Sequence, residues 1–230
     1  MKQSSPAISL YFVASFLYLL SIFFESENMA LFFKPMIASS MLFYYWQEAR
    51  AKTNVWFSVV IILLLITGIL NIFEDEFVLF YIILINMLAY TMLLSFSVRS
   101  LLEIKFNLID RISIVFIFIM TLFISSLIYV AVFLVFGSSF ELYILVIIYA
   151  VILGLLAIVN TVKYLMLNNK GNFYSILTTF CFIVCDLFYI LYYYYYDFIF
   201  FRYTSILSNV ISLYFLVKYF LFYKKKHFKY

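Results

Sequence analysis

The chain has 230 residues, of which 68% are hydrophobic and 11% charged, with a mean hydropathy of +1.13. A soluble domain is about 45–50% apolar and about 25% charged, and one of this length cannot hide so much apolar surface. A soluble globular enzyme, a disordered chain and a nucleic-acid-binding domain are thereby excluded, leaving a multi-pass membrane protein.

Crossing the hydrocarbon core takes about 20 mostly apolar residues. Eight stretches qualify in chain order: 7–24, 29–46, 55–73, 77–97, 112–136, 142–167, 173–196 and 203–223. Glycine occurs four times and proline twice, so helices are rarely interrupted. The first stretch follows Lys2, as in a signal peptide, but it is too long for an h-region and lacks a small-x-small cleavage site. It is read as a retained span. Connections are short, so the sequence predicts one all-α domain over 1–230, a polytopic bundle of eight transmembrane helices with a basic tail at 224–230.

The placement of charge tests this division. With the N-terminus cytoplasmic, the inner segments hold 13 of the 15 basic residues, and only Lys34 and Arg202 fall toward the other side. The outer loops carry Glu25, Glu27, Glu74, Asp75, Glu76, Glu141 and Asp197. Lysine and arginine favour the cytoplasmic side, so both termini are expected in the cytoplasm, in the cell's inner membrane. Trp46 and Trp56 flank the second cytoplasmic connection, where interfacial tryptophans belong. The tail, with Lys224, Lys225, Lys226 and Lys229, reads as a contact with anionic lipid. His227, the only histidine, sits in that tail and reads as solvated. The basic surface is too small for nucleic acid.

Polar residues inside spans are expensive and therefore informative. Asp186 lies near the middle of the seventh span, in Ile183-Val184-Cys185-Asp186-Leu187. A carboxyl there must face the bundle interior, pair with a base or keep its proton. Lys34, five residues inside the second span in Phe32-Phe33-Lys34-Pro35-Met36, either turns inward toward Asp186 or snorkels to the outer headgroups. Asn71, Asn86, Tyr90, Thr91 and Ser95, with Ser39 and Ser40, add polar groups that together predict a cavity opening toward the outer side. Ser208, Asn209 and Ser212 are placed to join the eighth span to a neighbour. Cys181 and Cys185 share a helix face and read as packing residues. The run Tyr192–Tyr196 reads as an interfacial aromatic belt, with a cation-binding aromatic wall as the functional alternative.

No Gly-x-Ser-x-Gly elbow, His/Cys metal cluster, phosphate loop or intramembrane histidine occurs in the sequence. No metal or other cofactor is implied. Catalysis, if the chain performs it, falls to a carboxylate acting by general acid/base chemistry. No pair of Gly/Pro-broken helices in inverted repeat is visible, which weakens an ion-coupled transporter reading.

Taken with the eight-span topology, two short motifs resemble the YhhN-type, lysoplasmalogenase-like membrane proteins. Phe33-Lys34-Pro35-Met36 is similar to that family's second-span Lys-Pro motif, and Cys185-Asp186-Leu187 to its seventh-span small-Asp-Leu motif. Where the family carries Gly-Asp near the end of the third span, this chain reads Gly68-Ile69-Leu70-Asn71, with Asp75 as the nearest aspartate. Tyr90 stands where the family often has a histidine. The resemblance implies hydrolysis of the vinyl ether of a lysoplasmalogen, giving a fatty aldehyde and a glycerophospho-alcohol. It casts Asp186 as the acid, Asn71 or Asp75 as its polar helper, and Lys34, Tyr90 and Asn86 as substrate-binding residues. The expected partners are membrane lipids, a lysophospholipid among them. Two other readings stay open at this point: a non-catalytic lipid- or partner-binding protein of the same fold, and a small transporter subunit.

Overall fold

A computed structural model describes residues 6–50, 53–73, 76–104, 111–135 and 140–227. They form eight α-helices and no strand. These are α1 (Pro6–Phe23), α2 (Glu27–Ala49), α3 (Val55–Leu70), α4 (Glu76–Leu102), α5 (Arg111–Val135), α6 (Phe140–Met166), α7 (Lys170–Ile190) and α8 (Ile199–His227). α7 runs on as a single π-helical turn, Leu191–Tyr195. Each predicted span coincides with one helix.

Among the described residues, six segments are long and apolar enough to cross a membrane: Pro6–Phe23, Phe77–Leu102, Ser113–Leu134, Leu142–Met166, Lys170–Tyr195 and Ile199–Tyr223. Of the eight expected spans, α2 and α3 do not meet this measure of length and composition. α3 has 16 residues, about 24 Å by helical rise, short of the roughly 30 Å hydrocarbon core. It ends at Leu70 with Asn71 as its C-cap, and the chain then tightens into three-residue turns, with Ile72 N–H on Ile69 O and Phe73 N–H on Leu70 O, both at 3.1 Å. α2 has 23 residues but carries Glu27, Lys34 and Glu48, too polar for an unassisted span. Both helices are nonetheless packed into the core. Ile37, Met41 and Tyr45 of α2 and Phe57, Val60 and Ile61 of α3 are almost wholly buried. Phe57 stacks on Phe220 of α8 at 4.1 Å between ring centroids, and Tyr45 meets both rings edge-on.

Local sequence explains the helix ends. Asn54 and Asn169 are N-caps whose side chains accept from Trp56 N at 3.0 Å and Asn172 N at 2.8 Å, satisfying donors that the helix itself cannot. The amide of Asn172 then donates to Lys163 O and Leu167 O, so one asparagine closes the last turn of α6 from the first turn of α7. Trp46 Nε1 donates to Ser58 Oγ at 2.9 Å, tying α2 to α3 at the predicted interfacial position.

Charge counting puts Lys163 on the cytoplasmic border, but the structure buries it completely. Its ammonium lies over the ring of Tyr219 at 5.0 Å and within 3.4 Å of Asn160 Oδ1 and of Tyr219 Oη. Asn160 accepts from Ser97 Oγ and donates to Thr179 Oγ1, both at 2.8 Å. Four helices, α4, α6, α7 and α8, thus meet at one buried polar layer. Interhelical hydrogen bonds of this kind contribute on the order of 0.6 to 1.7 kcal/mol each in a membrane protein. Asn160→Ala removes two of them, so it should lower unfolding free energy by about 1–2 kcal/mol, measured by denaturation in detergent. An unchanged midpoint would show that the layer does not hold the helices together.

Candidate functional site

α7 carries the site because its inward stripe changes character along its length. Near the start it presents Ser175, Thr178 and Thr179, all buried. One turn further Phe182 is buried, and beyond it Asp186 faces the bundle interior. Tyr149 Oη of α6 donates to Asp186 Oδ2 at 2.6 Å, and Tyr90 Oη of α4 donates to the same oxygen at 3.2 Å. Hydroxyl donors this close are what a carboxyl needs in apolar surroundings. The rings hold the hydroxyls in place: Tyr90 lies 5.5 Å from Tyr149 and 4.8 Å from Phe182, centroid to centroid. Both tyrosines are buried.

A cavity of about 50 Å³ opens beside this cluster, and Asn71, Asn86, Tyr90 and Asp186 all line it, joined by Cys185, Ser205 and Asn209. Four of the sequence-predicted site residues therefore converge. Among the described residues, the side-chain oxygens of Asn71 and Asn86 are buried there with no hydrogen-bond partner, which is uncommon. Two acceptors without donors on the wall of a polar cavity suit a hydroxyl or a water molecule. Ser205 Oγ donates to Cys185 O at 2.9 Å, fixing α8 against the same turn of α7. Cys181 and Cys185 are both free thiols.

Asn71 and Ser205 also line a larger cavity of about 370 Å³, framed by the end of α1, the start of α2, the ends of α3 and α7 and the start of α8. That set of helix ends is what alternating helices bring to one side of a bundle. Lys34, Arg202, Glu25 and Glu27 sit on its wall with Tyr18 and Tyr192. Glu25 has a positive φ of 52°, so the tight α1–α2 connection at the rim is held in a left-handed conformation that non-glycine residues seldom adopt. The volume lies within the roughly 300–1,000 Å³ of small-molecule sites.

Lys34 is placed in the larger cavity, its ammonium 5.4 Å from the ring centroid of Tyr18, while the donors bonded to Asp186 are the two tyrosines. Sequence reasoning looked to lysine and missed Tyr149. One tyrosine among 22 carries no contrast, and only its position facing Asp186 across α6 marks it. Asp75 lies outside the described residues. The expected polar lining is corrected at four positions. Ser39, Ser40, Thr91 and Ser95 bond to carbonyls of their own helices at 2.7–2.9 Å, the usual resort of hydroxyls in a helix without another partner, and Thr91 and Ser95 are exposed on α4. Ser212 likewise bonds back to Asn209 O. The tyrosine run is divided. Tyr192 packs against Arg202, at 5.7 Å, beside the large cavity, whereas Tyr195 and Tyr196 are exposed as a belt requires.

No protein-family model, curated protein or solved structure matches the chain.

The unequal donor distances at Asp186 give a direct check. The carboxyl stretching band of Asp186, assigned by its loss in Asp186→Asn, should shift further in Tyr149→Phe than in Tyr90→Phe, read by infrared spectroscopy of the purified protein. Equal shifts, or none, would contradict the geometry.

Proposed function

We propose that the chain is an integral membrane hydrolase, with both termini cytoplasmic, that cleaves the vinyl ether bond of lysoplasmalogen-type lysolipids. One observation carries this reading. Asn71 lies on the wall of the large cavity, where Lys34 and Arg202 stand with Glu25 and Glu27, and also on the wall of the small cavity lined by Asp186. A lipid phosphate beside Lys34 and Arg202 would leave the adjoining glycerol near Asn71 and Ser205, and the bond beyond it near Asp186. Lys34 then serves the phosphate, and Arg202, which the sequence motifs did not single out, serves with it. The cavity with the two cations would face the outer leaflet.

The chemistry suits a lone carboxyl. In its protonated form Asp186 donates to the vinyl carbon remote from oxygen, and the carbon bonded to oxygen becomes an oxocarbenium centre. The new carboxylate stabilises that charge and takes a proton from the attacking water. Water adds to form a hemiacetal, the carbon–oxygen bond to glycerol breaks as Asp186 gives the departing oxygen the proton it took from water, and the hemiacetal hydroxyl returns its proton to Asp186 as the aldehyde forms. One water is consumed, and a fatty aldehyde and a glycerophospho-alcohol are released. The acceptor oxygens of Asn71 and Asn86 are suited to hold that water. Tyr149 and Tyr90 position Asp186 by holding Oδ2 and leave Oδ1 toward the substrate.

Purified protein in detergent should release aldehyde from a lysoplasmalogen. Asp186→Asn should reduce the rate by at least roughly 100-fold, the usual scale of general acid catalysis, while Lys34→Ala should raise KM with a smaller effect on kcat. Equal turnover by wild type and Asp186→Asn would sink the assignment. Saturable lysolipid binding without any aldehyde would instead identify a non-catalytic lipid-binding protein.

A further inference from the structure

The small cavity that α3, α4, α7 and α8 enclose beside Asp186 is rich in acceptors and short of donors. Three hydroxyls on its wall spend their protons elsewhere: Tyr90 on Asp186 Oδ2, Ser205 on Cys185 O and Thr67 on Leu64 O. The oxygens left to it are of the opposite kind. Asn71 Oδ1 and Asn86 Oδ1 are buried with no partner among the described residues. Both tyrosine bonds to Asp186 fall on Oδ2, so Oδ1 accepts from neither ring. Among the described residues no lysine, arginine or histidine lines this cavity, and Asp186 is its one carboxyl. Lys34 stands in the adjoining cavities, its ammonium beside the Tyr18 ring. Gly68, also on the wall, leaves open space, since a Cβ added there would meet no atom within 4 Å. Glycine inside a helix weakens it relative to alanine, and no neighbour's bulk demands glycine at this position. Its bare backbone keeps room beside the acceptors.

We propose that Asp186, Asn71, Asn86 and Ser205 bind a small monovalent cation, sodium in kind, within the membrane. An acceptor-lined wall lacks positive charge, and a cation attracts all of its oxygens at once. Carboxylate, amide and hydroxyl oxygens suit a hard cation rather than a soft one. The only sulfur on the wall, that of Cys185, lies 3.6 Å from Ser205 Oγ, and no group of three His, Cys, Asp or Glu side chains fit for a metal occurs among the described residues. Charge decides the valence. One carboxylate balances a single positive charge, whereas a divalent ion would leave an excess charge buried in apolar surroundings, with Lys34 nearby to repel it. The volume of about 50 Å³ admits the ion with few waters, so protein oxygens replace much of its hydration. The cation site stands independently of the hydrolase reading. The cation and the attacking water are alternative occupants of the same oxygens.

The test measures retention of radioactive sodium by the purified full chain in detergent, with choline chloride as the background salt. Sodium should be retained saturably, displaced by unlabelled sodium and not by calcium. Asp186→Asn should abolish retention, and Asn86→Ala should weaken it at least about tenfold, the scale seen even for the outer partners of bound metals. Gly68→Leu fills the open space without a clash at Cβ and should weaken retention to a similar degree, with the unfolding midpoint unchanged or raised. Asn71→Asp supplies a gain that misfolding cannot mimic: a second carboxylate should let calcium displace sodium. Absence of saturable retention, as for a cavity that holds water only, overturns the site. So does retention by Asp186→Asn, displacement by calcium in the wild type, or an Asn71→Asp protein that still ignores calcium. The two readings fail separately. Sodium retention without aldehyde release keeps the cation site and overturns the hydrolase, whereas aldehyde release without sodium retention does the reverse.

Discussion

Two tyrosine hydroxyls, from α4 and α6, donate to one carboxylate oxygen on α7. A carboxyl at this depth is costly in hydrocarbon, and the cost is met by donors on two other helices. The three helices must therefore come together in one register. The tilted packing of Tyr90 against Phe182 and its contact with Tyr149 stiffen the arrangement from the sides.

A second polar layer sits toward the other end of the bundle, built on Asn160 and the buried Lys163. Between Tyr149 and Asn160 on α6 the buried positions are Leu153, Gly154, Leu156 and Ala157, about 16 Å of apolar packing by helical rise. Apolar faces alone tolerate sliding and rotation, since lipid solvates them as well as another helix does. Two separated polar layers remove that freedom, because a slip of one turn would strand hydrogen-bonding groups in both. The layer around Asn160 has its donors and acceptors engaged with one another, as structure requires. The layer around Asp186 instead leaves two asparagine oxygens without donors among the described residues. That difference, more than the presence of a charge, sets the Asp186 layer apart as the place for a ligand.

Much of this was legible in the sequence, for reasons that differ from residue to residue. The helices follow from apolar runs of sufficient length, and Asp186 follows from the cost of a carboxyl within one. Asn71 was visible as a polar residue near a span end, but the end of α3 before it, after 16 residues, comes with a turn that hydropathy does not register. Tyr149 could not be found, because tyrosine is common in this chain and comfortable at almost any depth. Asn160 offered the same signal as Asn86 and would have repaid the same attention. Lys163 misled charge counting because a lysine near a helix end is ordinarily at the surface, whereas here Tyr219, Asn160 and the last turn of α6 enclose it. Thr91 and Ser95 misled in the opposite sense. Their hydroxyls are content with their own backbone, so polarity in a span did not mean a polar environment.

The π-helical turn at the end of α7 connects the site to its mouth. Tyr196 N–H bonds to Leu191 O at 3.1 Å, five residues back, which inserts one residue into the helical repeat. Each residue of an α-helix turns the chain by about 100°, so an insertion of one re-aims everything beyond it. The consequence is visible in the tyrosines. Tyr189 and Tyr192 face the large cavity, Tyr193 and Tyr194 pack beside Leu79, Leu142 and Val146, and Tyr195 and Tyr196 turn outward. A regular helix would hold five successive tyrosines to a fixed progression around its axis. The inserted residue lets the same helix line the entrance, seal against α4 and α6, and meet the membrane surface within two turns. π-turns are costly and recur at functional positions. This one lies between Asp186 and Arg202, where the distance from carboxyl to cation is set.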